Sequence, residues 1–258
     1  MHRPRRKLAS KTLILLGLAV VTGGFAAEAR VLRIRSDSWM PFNGDPAGEK
    51  PGYVIEVLRE IFEPQGVKID YQIMPWTDSV KAVEAAQAEG IIGTDVTEAA
   101  KMLIGKVPIA EPIFSLFVRK DSPWKYQNIR SLKELRLGVV EGYNYWPSID
   151  EYIKKSTAPA VHVYSGNAPA AEAVADLTSG KIDVMVESVM VFYWSLKSNG
   201  QKISDFRSAY SESTEPLYVA FAKTEQGREY TRMFDEGLVK LKASGRFDAI
   251  LAKYGSTK

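Results

Sequence analysis

Acidic side chains near the ends of predicted strands are the residues of this sequence that are best suited to chemistry. Glu187 follows the apolar run 182–186, and Asp37, Asp95 and Glu141 lie near other predicted strand ends. A buried carboxylate can pair with a cationic group of a ligand, or it can act as a general acid or base. No motif selects one of these roles, and a solvated acid at a strand end is the alternative without a function.

Other reactive residue types are scarce. The sequence has no Cys, which excludes thiol catalysis, disulfide bonds and cysteine metal sites. Beyond residue 29 the only histidine is His162, so a two-histidine metal motif is impossible. The sequence also has no G-x-S-x-G, P-loop or G-x-G-x-x-G pattern. We therefore expect no catalytic centre, no cofactor and no bound metal.

The first 29 residues have the order of a secretory signal peptide. A basic start precedes an apolar run over 13–21, which is shorter than the roughly 20 residues of a membrane span. Ala27-Glu28-Ala29 then matches an A-x-A cleavage signal. The pattern predicts a signal peptide over 1–29 and a periplasmic protein. Cleavage is expected after Ala29, with cleavage after Ala26 or an uncleaved anchor as the alternatives.

Removal of this segment changes the charge of the chain. The whole chain has 34 Lys and Arg against 31 Asp and Glu, a net charge of +3. Residues 1–29 carry five of the basic residues and one acidic residue, so 29 basic and 30 acidic residues remain, a net charge of −1. A nearly neutral chain argues against a nucleic-acid partner.

Strands alternate with helices along the rest of the chain. The patterns predict strands at 31–36, 67–74, 137–140 and 182–186, and helices at 53–62, 77–87, 145–154 and 225–243. Ser131 and Glu134 have the spacing of a helix capping box. This alternation predicts an α/β fold with mostly parallel sheets, and its recurrence in both halves suggests two similar lobes.

Short segments in a fixed order carry a resemblance to a known family. They are Trp39-Met40-Pro41-Phe42, Gly52 to Val57, Gly90 to Thr97, Phe117 to Lys120, Ser131 to Leu135, Leu137 to Gly142, Gly180 to Val184, Pro216 to Phe221 and Gly245 to Gly255. Together they resemble extracellular solute-binding protein family 3, the periplasmic binding proteins of polar amino-acid ABC transporters.

The resemblance implies a type II periplasmic-binding-protein fold. Each of its two lobes has a mixed, mostly parallel sheet flanked by helices, and a hinge and a central cleft lie between the lobes. Lobe 1 would comprise residues 30–117 and 216–258, and lobe 2 residues 118–215. The implied partners are a small polar ligand and a membrane ABC permease, and we expect a monomer that closes around its ligand.

The resemblance also implies binding residues. In this family an acid at the end of a lobe 2 strand takes the ligand ammonium, and Glu187 has that position. The family's Arg for the ligand carboxylate falls at Ala100, so the adjacent Lys101 is a candidate, although Lys cannot form the bidentate contact of Arg. The other expected ligand contacts are Trp39, Gly93, Thr94, Gly142 and Tyr143.

Three functions fit the sequence. The first is the binding protein of an importer for an amino acid or a related compound. The second is a periplasmic enzyme of the same fold, similar to dehydratases that act on prephenate or arogenate. The third is a ligand-sensing module for a membrane receptor. The loss of Arg at Ala100 favours ligands with a cationic or hydroxyl-rich end.

Overall fold

Two five-stranded sheets, one in each lobe, organise the chain. The computed structural model describes residues 30–156 and 159–255. The predicted signal peptide over 1–29 lies outside these residues. In the part that is described, no helix is long and apolar enough to cross a membrane.

The first lobe contains both ends of the described chain. Its strands are β1 (Arg30–Ser36), β2 (Val67–Ile73), β3 (Gly90–Thr94), β4 (Leu103–Ile104) and β10 (Tyr218–Phe221), in the order β2-β1-β3-β10-β4. Its helices are α1 (Tyr53–Phe62), α2 (Trp76–Glu84), α6 (Glu225–Ala243) and α7 (Arg246–Ala252), with a 3-10 turn at Glu98–Lys101. Val54, Leu58 and Ile61 share the predicted apolar face of α1, and all three are buried.

The second lobe contains the middle of the chain. Its strands are β5 (Ile113–Arg119), β6 (Leu137–Val140), β7 (Val161–Tyr164), β8 (Val184–Ser188) and β9 (Phe206–Ser213), in the order β7-β6-β8-β5-β9. Its helices are α3 (Pro147–Lys155), α4 (Pro169–Ser179) and α5 (Val189–Ser198). Gly180 follows α4 with a φ of 80°, a left-handed conformation that favours glycine at a helix end.

The two sheets have the same plan. In the first sheet β1 pairs in parallel with β2 and β3, and in the second sheet β6 pairs in parallel with β7 and β8. The strand that follows a crossing, β10 in the first sheet and β5 in the second, pairs antiparallel on both sides. The shared rhythm of the sequence therefore reflects two lobes of like topology. In each sheet half of the pairings are parallel, so the sheets are evenly mixed.

Two crossings join the lobes. The return crossing lies between β9 and β10, where the sequence places the boundary at 215 and 216. The outward boundary at 117 and 118 falls inside β5, which pairs with β8 and β9 of the second sheet. The exact division remains a prediction, and this pairing favours a boundary before Ile113.

Two local predictions about helix starts are wrong. The spacing of Ser131 and Glu134 does not open an α-helix, because a 3-10 turn occupies Ile129–Leu132 and Asn128 caps it. Helix α3 begins at Pro147 rather than at Tyr145. Proline is favoured at the first position of a helix, so Pro147 was the signal for the observed start.

Candidate ligand-binding cleft

A small cavity lies between the two lobes. Its volume is about 30 Å³. Side chains of both lobes thus fill most of the cleft. The cavity is lined by Asp37, Trp39, Trp76, Ile92, Gly93, Asp95, Glu98, Phe114, Tyr143, Asn144 and Leu217.

The loop after β1 supplies one wall. The backbone N–H of Trp39 donates to the carbonyl of Asn43 at 2.8 Å, which closes a tight turn. The indole ring of Trp39 stacks on Phe42 with ring centroids 4.2 Å apart. Asn43 donates through Nδ2 to the carbonyl of Asp37. These contacts fix Asp37 and Trp39 at the carboxyl end of a parallel strand, a common place for ligand sites.

Asp37 reaches across the cleft to the second lobe. The hydroxyl of Tyr143 donates to Asp37 Oδ2 at 2.6 Å. Burial raises the pKa of the Asp37 carboxyl to about 7, and the hydrogen bond from Tyr143 only partly opposes that rise. At neutral pH, this carboxyl is therefore poised between its neutral and charged forms.

The end of β3 supplies the floor of the cavity beneath Trp39. Gly93 has a φ of 89°, and a Cβ at this position would lie 3.4 Å from the Trp39 ring. A side chain there would therefore strain the backbone, while its Cβ would touch the indole at an ordinary contact distance. Thr94 is fully buried and does not line the cavity, and its hydroxyl donates to Glu98 Oε2 at 3.2 Å. Thr94 positions an acid instead of reaching the cleft.

Glu98 is the lining acid that the sequence reasoning missed. Its Oε1 accepts a hydrogen bond from Trp76 Nε1 at 2.8 Å. Burial, together with the nearby carboxylates of Asp95 and Asp37, raises the pKa of Glu98 to about 7. The family's Arg slot directed attention to residues 100 and 101, while the acid two positions earlier faces the cavity.

Asp95 bridges the two lobes at the rim of the cavity. Its Oδ1 accepts hydrogen bonds from the backbone N–H groups of Thr97 and Glu98 at 2.7 and 2.8 Å, which caps the 3-10 turn. Its Oδ2 accepts from Asn144 Nδ2 of the second lobe at 3.1 Å. This acid both shapes its own loop and holds the opposite lobe.

The turn after β6 supplies the wall from the second lobe. Tyr143 lines the cavity, where its ring meets Trp76 edge to face at 5.6 Å. Gly142 is exposed, and a Cβ there would lie 2.8 Å from Thr77 Cγ2, so it allows a close approach of the lobes. The Tyr143 N–H already donates to Val140, and α3 starts only at Pro147. An anion site at a helix N-terminus is therefore not formed here.

Glu187 lies behind Trp39 and does not line the cavity. Its Oε1 accepts from Trp39 Nε1 at 3.0 Å and from the Ser188 N–H at 2.6 Å. Its Oε2 is buried and has no hydrogen-bond partner among the described residues. Burial raises the pKa of Glu187 to about 8. Glu187, the predicted contact for a ligand ammonium, thus joins the two lobes in this structure, and one of its two carboxyl oxygens has no hydrogen-bond partner among the described residues.

Lys101 is a correction to the sequence reasoning. Its side chain is 76% exposed and pairs with Glu84 at 3.3 Å, away from the cavity. In this structure it therefore offers no cation to the cavity. Of the seven predicted binding residues, the structure brings Trp39, Gly93 and Tyr143 to the cavity, while Thr94, Lys101, Gly142 and Glu187 do not line it.

No group of three or more His, Asp and Glu side chains that could hold a metal ion occurs in residues 30–156 and 159–255. The cavity lining also lacks Ser, Thr and Lys, the side chains most often activated as nucleophiles. The site offers carboxyl groups, a phenol, indoles and an amide, which suit the binding of a small molecule.

Comparisons with known proteins agree with this architecture. The model of the family "Bacterial extracellular solute-binding proteins, family 3" matches residues 32–257. A curated relative, the "Probable histidine-binding protein" of Neisseria gonorrhoeae, is 24% identical over 235 residues, which cover 89% of this chain and 84% of the relative.

Solved structures show the same fold. An ancestral arginine-binding protein bound to arginine superposes with a TM-score of 0.71 at 21% identity, over 89% of this chain and 100% of that one. The ancestral amino acid-binding protein AncCDT-1, described as a precursor of cyclohexadienyl dehydratase, gives a TM-score of 0.69 at 20% identity, over 87% of this chain and 94% of that one.

Proposed function

Since this chain belongs to family 3 of the bacterial extracellular solute-binding proteins, we propose that it captures a small polar molecule, an amino acid or a related amine, and delivers it to a membrane ABC permease. It works in the periplasm after removal of residues 1–29, as a monomer. The lobes part to admit the ligand and close over it, and the permease recognises the closed form.

The observation that carries this proposal is the construction of the cavity from both lobes. Tyr143 and Asn144 of the second lobe donate to Asp37 and Asp95 of the first lobe across the cavity. Trp39 meets Glu187 in the same way behind it. Few contacts of this kind hold a closed cleft, and a ligand that binds between the lobes adds to them. Hinge closure of the lobes would thus link ligand binding to a change in the shape of the protein.

Ligand-dependent closure is the direct test. The exported protein is first screened by thermal shift against amino acids, amines, sugars and small carboxylates, because a ligand that binds only the folded state raises its stability. Small-angle scattering then measures the radius of gyration with and without each hit. We expect a hit to reduce the radius to that of the closed structure. A screen without hits, or a hit that leaves the radius unchanged, contradicts the proposal.

An added negative charge within the cleft sharpens this test. Asn144→Asp replaces the donor to Asp95 by a second carboxylate, so closure brings two like charges together. We expect weaker ligand binding and a larger radius at the same ligand concentration. Gln127→Glu adds the same charge at an exposed position of the second lobe and serves as the matched control.

A second candidate function is catalysis, which the two lining carboxyls with pKa values of about 7 favour. Groups with such values can act as general acids or bases at neutral pH. Incubation of each thermal-shift hit with the protein, followed by mass spectrometry of the small molecule, separates the functions. An unchanged compound after prolonged incubation supports binding alone, and steady product formation supports an enzyme.

A further inference from the structure

The charge of the cavity lining is one-sided. Three carboxyl side chains line it, those of Asp37, Asp95 and Glu98, and no Lys, Arg or His does. Lys101 points to solvent, where it pairs with Glu84. A ligand carboxylate would therefore meet three acids and no cation. The lining is therefore unsuited to the carboxylate of an α-amino acid.

The acids of the cleft have only neutral partners. Glu98 accepts from an indole and a hydroxyl, and Asp37 accepts from a phenol. Asp95 accepts from backbone N–H groups and an amide. None of these acids takes part in an ion pair within residues 30–156 and 159–255. Buried carboxylates without a counter-ion are costly, so a cation that enters the cleft relieves that cost.

Glu187 is a further acid without an ion pair among the described residues. Its carboxyl is fully buried between the lobes, next to the indole of Trp39. Oε2 of this carboxyl has no hydrogen-bond partner among the described residues. Asp37 is close enough to raise the pKa of Glu187, which places both acids in one region.

Aromatic rings complete an environment for a positive charge. Trp39 and Trp76 line the cavity, and the Tyr143 ring meets both edge to face, with centroids 6.2 and 5.6 Å away. The face of an indole or phenol ring attracts an ammonium group, most strongly where water is excluded. Acids and aromatic faces thus favour the same ligand class, and the small volume favours a compact one.

We propose that the cleft selects a small organic cation that carries no carboxylate, a protonated amine or a quaternary ammonium, and discriminates against α-amino acids. This inference rests on the proposed function, because it names the ligand class of the same site. The ammonium group lies among Asp37, Glu98 and the indole rings. The part of the ligand that would carry a carboxylate in an amino acid faces the same acids and is therefore uncharged or positive.

Matched pairs of compounds test the charge rule. Isothermal titration at pH 8 compares histamine with histidine, agmatine with arginine, cadaverine with lysine, and choline with betaine. In each pair the first compound lacks the carboxylate of the second. We expect the tightest binder to be a carboxylate-free member, at least tenfold tighter than its partner, and the choline pair shows whether a quaternary ammonium or a protonated amine is preferred.

Two results overturn the inference. One is an amino acid or betaine that binds as tightly as its carboxylate-free partner in the pair with the tightest binder. The other is no binding by any of the eight compounds. Both leave the proposed function to be judged separately by the broader screen and the scattering measurement, because those also include sugars and carboxylates.

Variants locate the selectivity in the lining. Glu98→Gln keeps an acceptor for Trp76 and removes the charge, so we expect the cation to bind at least tenfold more weakly and the amino-acid partner to lose less. Glu134→Gln removes an exposed acid of the second lobe and should leave both affinities unchanged. Asp37→Asn provides the same test if circular dichroism shows that Glu98→Gln is unfolded. Equal losses for both members of a pair contradict the assigned role.

Discussion

The two lobes present the same strand ends to the cleft but different chemistry. In the first lobe, the loops after β1 and β3 place Asp37 and Glu98 at the cavity. In the second lobe, the turn after β6 supplies Tyr143, while the acid of β8, Glu187, is sealed behind Trp39. The same fold thus has an acidic edge that lines the cavity in the first lobe, and in the second lobe an edge whose acid, Glu187, joins the two lobes.

This difference shows that a position in the topology does not determine its role. Glu187 and Asp37 both lie at the end of a parallel strand, yet only Asp37 lines the cavity. The deciding factor is Trp39, whose indole covers Glu187 and donates to it. Function at such sites belongs to loops and particular side chains rather than to the fold.

The largest expected effect concerns pH and the sealed acid. The pKa of Glu187 rises from an ordinary value of 4.5 to about 8 in the folded protein. Between pH 4.5 and pH 8, folding is therefore accompanied by the uptake of a proton. The stability that Glu187 contributes is fully present below pH 4.5 and is lost as the pH rises through 8. Asp37 and Glu98, with pKa values of about 7, act in the same direction.

Without ligand, we therefore expect the free energy of unfolding to fall by on the order of 3 kcal/mol or more from pH 5 to pH 9, since one pKa unit corresponds to about 1.4 kcal/mol. Urea unfolding at several pH values measures it. Glu187→Gln cannot titrate, so this variant should show a clearly smaller fall. A stability that rises over this range would contradict the buried, raised-pKa state of these acids.

A pair of tryptophan variants compares the two acids directly. Trp39→Phe removes the indole donor from the fully buried Glu187, and we expect a loss of about 1–3 kcal/mol in stability. Trp76→Phe removes the donor from Glu98, which keeps the Thr94 hydroxyl and is less buried, so we expect about 1 kcal/mol or less. Chemical denaturation at pH 8 measures both. The reverse order of losses would show that Glu187 is not the more tightly enclosed acid.

The pH dependence of binding provides the next comparison. A cation binds the charged form of Asp37 and Glu98, whose pKa values are about 7. Its affinity should therefore rise several-fold from pH 6 to pH 8, and binding should release protons. Titration calorimetry in buffers of different ionisation enthalpy measures that release. A neutral ligand that binds by hydrogen bonds would show little dependence on pH.

The smallest effect is expected at Lys101. Its exposed ion pair with Glu84 at 3.3 Å is of a kind that contributes about 0–1 kcal/mol. Lys101→Ala should leave stability and affinity for every ligand nearly unchanged. A marked loss of affinity for a carboxylate ligand alone would bring Lys101 back as the substitute for the family's Arg.

The sequence was sufficient for the fold. Periodic apolar residues such as those of α1, and the order of short motifs, predicted two α/β lobes, because these signals depend on local spacing. Trp39, Gly93 and Tyr143 were also placed near the cavity, since residues just after parallel strands meet at one edge. The start of α3 was missed although Pro147 marked it.

The roles of the acids were beyond the sequence. Whether Glu98 or Lys101 faces the cavity depends on how the 3-10 turn is set by Asp95, a tertiary feature without a sequence period. Whether Glu187 is open to a ligand depends on an indole that is 148 positions away in the chain. Long-range contacts of this kind decide how deeply a carboxyl group is buried, and therefore whether it is charged at a given pH.

The position of Trp39 and Trp76 has an optical consequence. Two of the five tryptophans of the chain line the cavity, and the closed lobes shield both from water. Separation of the lobes would expose these indoles and remove Tyr143 from their vicinity. The intrinsic fluorescence spectrum therefore reports the opening and closing of the cleft in the unlabelled protein, on the time scale of a stopped-flow mixer.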